Sequence, residues 1–389
     1  MKVGLVLSRP PGYSETFLRS KISGLLANGI EVELFVFKQD EAFDLCKVHV
    51  APQLSRFSIV LLFQVLLLFL RSILNFKRLR RFLYLEKQQG VAWIERWKKA
   101  LVNINILKAD LDWLHFGFVT LSVKREFLAE AIGANLSVSF RGFDIAIYAL
   151  KNPACYTLLW EKVDKVHANS YDLLHRAYEL GLHITTPYQI INPSIEIDFF
   201  KPKEGKKDTA VLKILTVARL HWKKGFDDTF NALALLKKQG VKFSYSIVGD
   251  GTPGFIERLR FSIFELGLTE EVHLLGKKSR EEVSALYDSH ALYIQYSVSE
   301  GFCNAVLEAQ LKGLLCIVSD AEGLPENIIH EETGFVVPKC EPTLLAESIK
   351  HAINVAPDKI CIMKKKAQKR VTEEFNLRQQ QQKFVKFYN

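Results

Sequence analysis

From residue 213 onward the chain alternates short apolar runs with helical stretches, and that alternation limits the folds open to it. Lys213–Val217, Phe243–Val248, Val272–Leu275, Ala291–Tyr296 and Leu315–Val318 read as buried strands. Helical patterns separate them, near Asp227–Lys238, Phe255–Leu266, Arg280–Ser289 and 304–312. Such alternation implies a parallel sheet with helices on both faces. The first half opens in the same way: Val3–Leu7, a stop at Pro10-Pro11-Gly12, a helix over Glu15–Asn28, then Val32–Phe37. Asp112–Phe116, Leu136–Phe140 and Lys165–Ala168 read as further short strands. Two such halves predict two doubly wound α/β domains, with ligands at the C-terminal ends of the strands. The length of 389 residues suits two cores better than one. The charged run Lys201–Asp208 (KPKEGKKD) sets the expected boundary. It divides the chain into 1–205 and 206–371, with 372–389 as a helix able to pack back on the first domain.

An apolar share of 48 % and a charged share of 24 % are those of a folded globular protein. The net charge of +9 favours an anionic partner: nucleic acid, a membrane surface or a phosphorylated substrate. No zinc-finger spacing and no aromatic–basic interleaving is present, so nucleic acid is not expected. The six cysteines show no Cys-x-x-Cys pair and read as thiols in a reducing cytoplasm, not as metal ligands. Lys2 and the short run Val3–Leu7 read as a first strand and not as a signal peptide.

One segment departs from the alternation. Phe57–Leu70 (FSIVLLFQVLLLFL) has only Ser58 and Gln64 as polar residues, and Lys77-Arg78-Leu79-Arg80-Arg81 follows it. Fourteen helical residues span about 21 Å, against roughly 30 Å of hydrocarbon. A buried core helix, a membrane-surface helix and a true span all remain open. Length opposes the span, and the basic flank favours a surface helix on anionic lipid over residues 57–81.

The richest local pattern is Ser299-Glu300-Gly301-Phe302-Cys303-Asn304-Ala305-Val306-Leu307-Glu308. It reads as a turn after a strand, with Asn304 as N-cap of a helix that carries Glu308 about one turn in. Unpaired amides at that helix end suit an anion, while carboxylates beside it suit sugar hydroxyls.

With its companions this stretch resembles the retaining glycosyltransferases of family 4, which have the GT-B fold. The resemblance rests on Glu300 and Glu308 at Glu-x7-Glu spacing, on Val217-Ala218-Arg219-Leu220 with Lys224-Gly225, and on Val248-Gly249-Asp250-Gly251. Leu275-Gly276, Gly323-Leu324-Pro325-Glu326 and Thr333-Gly334 complete it, in the family's order over about residues 213–340. The first half resembles the family through Ser14-Glu15-Thr16-Phe17, His115-Phe116-Gly117, Phe140-Arg141-Gly142-Phe143-Asp144 and Asn169-Ser170.

The resemblance implies two Rossmann-like domains facing across a cleft, the second holding a UDP- or GDP-linked sugar and the first the acceptor. It implies that Arg219 and Lys224 neutralise the diphosphate, with no metal or other cofactor expected. Glu300 would contact the donor sugar and Glu308 the ribose, while the amides of Gly301, Phe302, Cys303 and Asn304 reach sugar or phosphate. Gly249 reads as a turn former. In the first domain Gly12 would lie near donor phosphates or acceptor. Glu15 is either an acceptor ligand or a carboxylate favoured by a helix dipole. His115 is either a cleft group taking part in the chemistry or a structural histidine. Arg141 stands where many relatives carry histidine and would act electrostatically, with Asp144 orienting its loop. Glu322 stands where relatives often have glycine, which leaves donor preference open.

The implied activity is hexosyl transfer to a glycan or lipid-linked acceptor in cell-surface polysaccharide synthesis, at the cytoplasmic face of the membrane. A nucleotide-sugar epimerase of the same fold and a non-catalytic, membrane-associated subunit of an assembly complex are the competing expectations.

Overall fold

A computed structural model describes residues 1–12, 16–53, 76–202 and 211–389. Glu15, the apolar segment Phe57–Leu70 and most of the 201–208 run lie outside the described residues. The chain forms two compact units. One is Met1–Ile191 together with Gln380–Asn389, and the other is Asn192–Gln379. The changeover thus falls at 191/192, where the sequence suggested 205/206. Residues just past it belong with the second unit because Ile195 donates its amide to the Phe375 carbonyl at 3.0 Å.

The first unit is a seven-stranded parallel sheet. Its strands are β1 (Lys2–Leu7), β2 (Glu31–Val36), β3 (Lys47–Val50), β4 (Trp113–Phe116), β5 (Asn135–Phe140), β6 (Lys165–Ala168) and β7 (Tyr188–Ile190). They run in the order β3-β2-β1-β4-β5-β6-β7. Along β1 the side chains alternate between faces. Val3, Leu5 and Leu7 pack with Leu18, Ile22 and Leu25 of the helix Thr16–Ala27. Val6 faces the opposite core, with Leu79, Phe82, Leu114 and Phe116.

The helix Leu377–Tyr388 closes the first of these cores. Phe384, Phe387 and Tyr388 are buried there. Trp113 Nε1 donates to the Tyr388 carbonyl at 3.1 Å and Lys165 Nζ to the Phe387 carbonyl at 2.5 Å.

The second unit has six parallel strands: β8 (Leu212–Val217), β9 (Phe243–Val248), β10 (Val272–Gly276), β11 (Leu292–Gln295), β12 (Leu315–Ser319) and β13 (Phe335–Val337). Their order is β10-β9-β8-β11-β12-β13. The five strands expected in this half are all present. Both sheets reverse direction once, between β1 and β4 and between β8 and β11. A crevice opens beyond the strand ends at such a reversal, because the following helices leave toward opposite faces.

Among the described residues no helix is long and apolar enough to cross a membrane.

Phe387 is fully buried against Trp113 and His115. Phe387→Ala should therefore cost about 3–5 kcal/mol of first-unit stability. The check is the urea midpoint, and an unshifted midpoint would mean that the C-terminal helix does not belong to this core.

Candidate functional site

The loops after β8 and β11 meet at the reversal of the second sheet. After β8 the chain makes a single 3-10 turn, Trp222–Lys224, and then Gly225 at φ +63. A Cβ at residue 225 would collide with the Tyr296 carbonyl oxygen, so only glycine permits this approach. The Val298 amide donates to the Lys223 carbonyl at 2.7 Å and ties the two loops together.

That contact brings Lys224 Nζ onto Glu300 Oε2 as an ion pair. Burial opposes the charge on Lys224, but the adjoining Glu300 carboxylate outweighs it and holds the ammonium above its ordinary range. Glu300 is held from behind as well. Tyr293 OH donates to Gln295 Oε1 at 3.0 Å, Gln295 Nε2 to Ser297 Oγ at 2.8 Å, and Ser297 Oγ to Glu300 Oε2 at 3.4 Å. Tyr293, Gln295 and Ser297 are fully buried and alternate along β11 and its extension, so they share one face.

Arg219 lies exposed just past β8. His221, half-buried in the same loop, is pushed down by burial and by the repulsion of Lys223, Arg219 and Lys224. Three cations and an imidazole therefore crowd one strand end, where Glu300 is the carboxylate paired to Lys224.

The helix Asn304–Leu311 begins one residue earlier than expected. Cys303 is the N-cap, extended at φ −124 and ψ 109, and Asn304 is the first helical residue. The cap is supplied from elsewhere: the Cys303 amide donates to Asn327 Oδ1 at 3.1 Å, and Asn327 Nδ2 donates to the Cys303 carbonyl at 3.0 Å. The Cys303 amide is therefore committed to Asn327, which corrects its expected role as a ligand donor. Burial pushes the Cys303 thiol up to about 12, so it is inert at neutral pH. Gly301 is buried, and Phe302 packs on Phe375 with ring centroids 5.6 Å apart.

Glu308 keeps part of its surface open while its carboxyl is enclosed. Tyr287 OH donates to its Oε2 at 3.0 Å. Burial pushes this carboxyl up to about 7, against the pull of Tyr287 and Arg280. On the neighbouring loop Glu322 adopts φ +50, and Ser299 Oγ lies 3.0 and 3.1 Å from its two carboxylate oxygens. Gly249, at φ +148, passes so close to the Ala218 carbonyl that a side chain would collide with it, so its role is turn geometry.

In the first unit the expected residues fare differently. His115 is fully buried in the core. Its Nδ1 lies 2.8 Å from Ser137 Oγ and 2.9 Å from Tyr388 OH, and its Nε2 lies 2.7 Å from Ser139 Oγ and 3.2 Å from Lys21 Nζ. Both ring nitrogens are occupied, so His115 is a structural histidine and not a cleft group. Asp144 is also buried and orients its loop: it accepts from the amides of Arg141 at 2.7 Å, Ile145 at 3.0 Å and Val119 at 3.3 Å. Burial pushes its carboxyl up to about 7. Arg141 stacks over Phe17 at 4.2 Å and donates from Nε to the Gly117 carbonyl at 3.2 Å. Gly12 follows β1 and is half-buried.

Glu308 binds its proton more tightly in the folded protein than at its ordinary value of 4.5. Stability should then fall as pH rises from about 4.5 to about 7 and level off above that. Glu308→Gln should accordingly raise the melting temperature at pH 8, with the gain vanishing near pH 5. An equal gain at both pH values would contradict the assigned cause.

The chain resembles known proteins both in sequence and in fold. Residues 196–370 match the family model described as Glycosyl transferases group 1. The chain is 28 % identical to the amylovoran biosynthesis glycosyltransferase AmsK of Erwinia amylovora, over 89 % of each chain. It is 24 % identical to WcaL of Escherichia coli K12, provisionally named a colanic acid biosynthesis glycosyltransferase, over 97 % of this chain and 96 % of that one. The fold matches that of Anabaena Alr3699/HepE in complex with UDP-glucose, at TM-score 0.72 and 18 % identity over 99 % and 98 % of the two chains. Arg219, Lys224, Glu300 and Glu308 thus all lie within a stretch that matches the group 1 glycosyl transferases, in a chain of GT-B fold.

Proposed function

We propose that the protein is a retaining, metal-independent glycosyltransferase of family 4. It moves a hexosyl group from a UDP- or GDP-linked sugar to a glycan or lipid-linked acceptor in cell-surface polysaccharide synthesis. The observation that carries this reading is the cation cluster at the reversal of the second sheet, with Lys224 held on Glu300 and Glu308 about one turn into the helix that follows. Two related proteins are named for amylovoran and colanic acid biosynthesis, and a protein of like fold is complexed with UDP-glucose. Those names support the substrate class.

In this reading the diphosphate lies against Arg219, Lys223 and Lys224, whose charges stabilise the leaving nucleotide. The sugar hydroxyls donate to Glu300, and the ribose hydroxyls to Glu308. The bond between the anomeric carbon and phosphate oxygen breaks while the acceptor oxygen bonds to that carbon on the same face. The acceptor proton passes to the departing phosphate, so the glutamates hold the donor and do not act as a glycosidase pair. Arg141 and Gly12 would serve the acceptor side. The enzyme would work as a peripheral protein at the inner face of the cell membrane, using the surface of residues 57–81.

Lys224→Ala and Glu308→Ala should each lower turnover at least tenfold, about 1.4 kcal/mol of barrier. The measurement is nucleotide release from a panel of UDP- and GDP-sugars with lipid-linked acceptor, and near-wild-type rates in both variants would sink the assignment.

A second test uses the Glu308 carboxyl, half protonated near pH 7 in the empty site. Ribose hydroxyls donating to it favour the carboxylate, so binding should release roughly half a proton at that pH. Calorimetric titration with UDP or GDP in buffers of different ionisation heat reads that release. Heats independent of buffer in the wild type, or unchanged dependence in Glu308→Gln, would rule out the ribose role.

A further inference from the structure

The helices Phe76–Gln88 and Trp93–Val102 of the first unit form a hairpin whose two sides differ sharply. On the inner side Leu79, Phe82, Leu85 and Leu101 belong to the core. The cations on that side are all engaged: Arg78 with the Ala109 carbonyl and Asp110, Lys99 with Glu86 at 2.6 Å, and Arg96 with the Leu83 carbonyl. The outer side repeats every three or four residues along the first helix: Lys77, Arg80, Arg81, Tyr84, Lys87. Among the described residues no carboxylate pairs with Lys77, Arg80 or Lys87, and Arg81 reaches only Glu130, at 3.8 Å.

The tip is open on both flanks, since Lys87–Gly90 and Ala92–Glu95 are exposed. Trp93 is 63 % exposed, Ile94 60 % and Tyr84 58 %. The Trp93 ring meets Trp97 edge-on, with centroids 6.1 Å apart, so the indole is braced while facing outward. At the tip Lys98 reaches Glu95 at 4.0 Å and Lys87 has no carboxylate partner among the described residues, and the large exposed rings beside them are costly to leave in water. They are favourable where an apolar layer lies beneath anionic headgroups, because indole and phenol bury their rings and keep N–H and O–H in the wet layer.

We infer that this hairpin docks the first unit on an anionic phospholipid bilayer, Trp93, Ile94 and Tyr84 entering the interfacial layer and Lys77, Arg80, Arg81 and Lys87 pairing with headgroups. The inference rests on the membrane side of the proposed function and deepens it, moving the contact from the 57–81 segment to a surface that includes the tip. Charge decides between a bilayer and a second copy of the chain. Residues 76–99 hold eight lysines and arginines against two glutamates, so two such hairpins would repel, whereas each exposed cation gains about 1 kcal/mol near an anionic leaflet.

The test is co-sedimentation of the full chain, without nucleotide, with vesicles of phosphatidylcholine mixed with phosphatidylglycerol and with phosphatidylcholine alone. The wild type should partition at least tenfold better into the anionic vesicles. Trp93→Ser with Ile94→Ser, and separately Arg80→Glu with Lys87→Glu, should each lose most of that partition while melting temperature and UDP affinity stay as in the wild type. Variants that sediment like the wild type, or no preference for anionic lipid, would overturn the proposal. So would a lipid-free dimer that the same substitutions dissolve. A wild type that binds vesicles but not UDP supports the docking surface while overturning the reading of the nucleotide site.

Discussion

The second unit's site depends on one backbone contact, the approach of Gly225 to the Tyr296 carbonyl. β8 and β11 are neighbours in the sheet but far apart in sequence, so the loops after them could diverge. A left-handed glycine at 225 lets the first loop turn beneath the end of the second, and the Val298–Lys223 hydrogen bond closes the contact. Lys224, at the end of that turn, pairs with Glu300. The pair is largely buried and backed by the Tyr293–Gln295–Ser297 chain, so the ammonium is oriented before any ligand arrives. Preorganised charge of this kind stabilises a developing anion without reorganisation at the moment of reaction.

Glu308 supplies a complementary tension. Its carboxyl is enclosed, with Tyr287 as its hydroxyl donor, and ionises only near neutrality. An empty site that disfavours its own carboxylate is less stable than it could be. In the proposed function ribose hydroxyls donating to Glu308 would relieve that cost, so part of the binding energy would come from finishing what the fold leaves incomplete. Asn327 works in the opposite sense: by capping Cys303 through both amide and carbonyl, it removes any play from the turn that connects Glu300 to the helix bearing Glu308.

The layout of the second unit was legible because its strands are continuous apolar runs and its charged candidate residues lie beyond the strand ends. Glu300 and Glu308 stood out from the local pattern after an apolar run, and Arg219 and Lys224 through the resemblance to family 4. Tyr287, Gln295, His221 and Asn327 did not. Asn327 reaches Cys303 from the loop after β12, and Tyr287 reaches Glu308 from the preceding helix, so both depend on sheet order. Among these, His221 had a local signal, its position between Arg219 and Lys224. His115 was open to misreading for a general reason. Within Trp-Leu-His-Phe the histidine lies inside a strand whose two faces are both covered, and the C-terminal helix, distant in sequence, supplies Tyr388 as its partner. Short edge strands such as β3 and β7 carry too few apolar residues to stand out.

The proposed nucleotide site and the proposed docking surface would use positive charge in two distinct ways, and burial separates them. Lys224 is largely removed from water and paired, so its field acts at short range in a low-dielectric setting and is little affected by salt. Lys77, Arg80 and Lys87 stay in water on long flexible stems, where a Debye length of about 8 Å limits their reach. The first arrangement suits a small, dense anion such as a diphosphate, which must be held in one orientation while a bond breaks. The second suits a broad, fluid array of charges that needs no single geometry. A cation buried at the hairpin could not follow mobile headgroups, and an exposed, unpaired lysine at residue 224 would spend its charge on solvent. The same residue type can therefore serve chemistry in one unit and adhesion in the other because the fold controls its hydration.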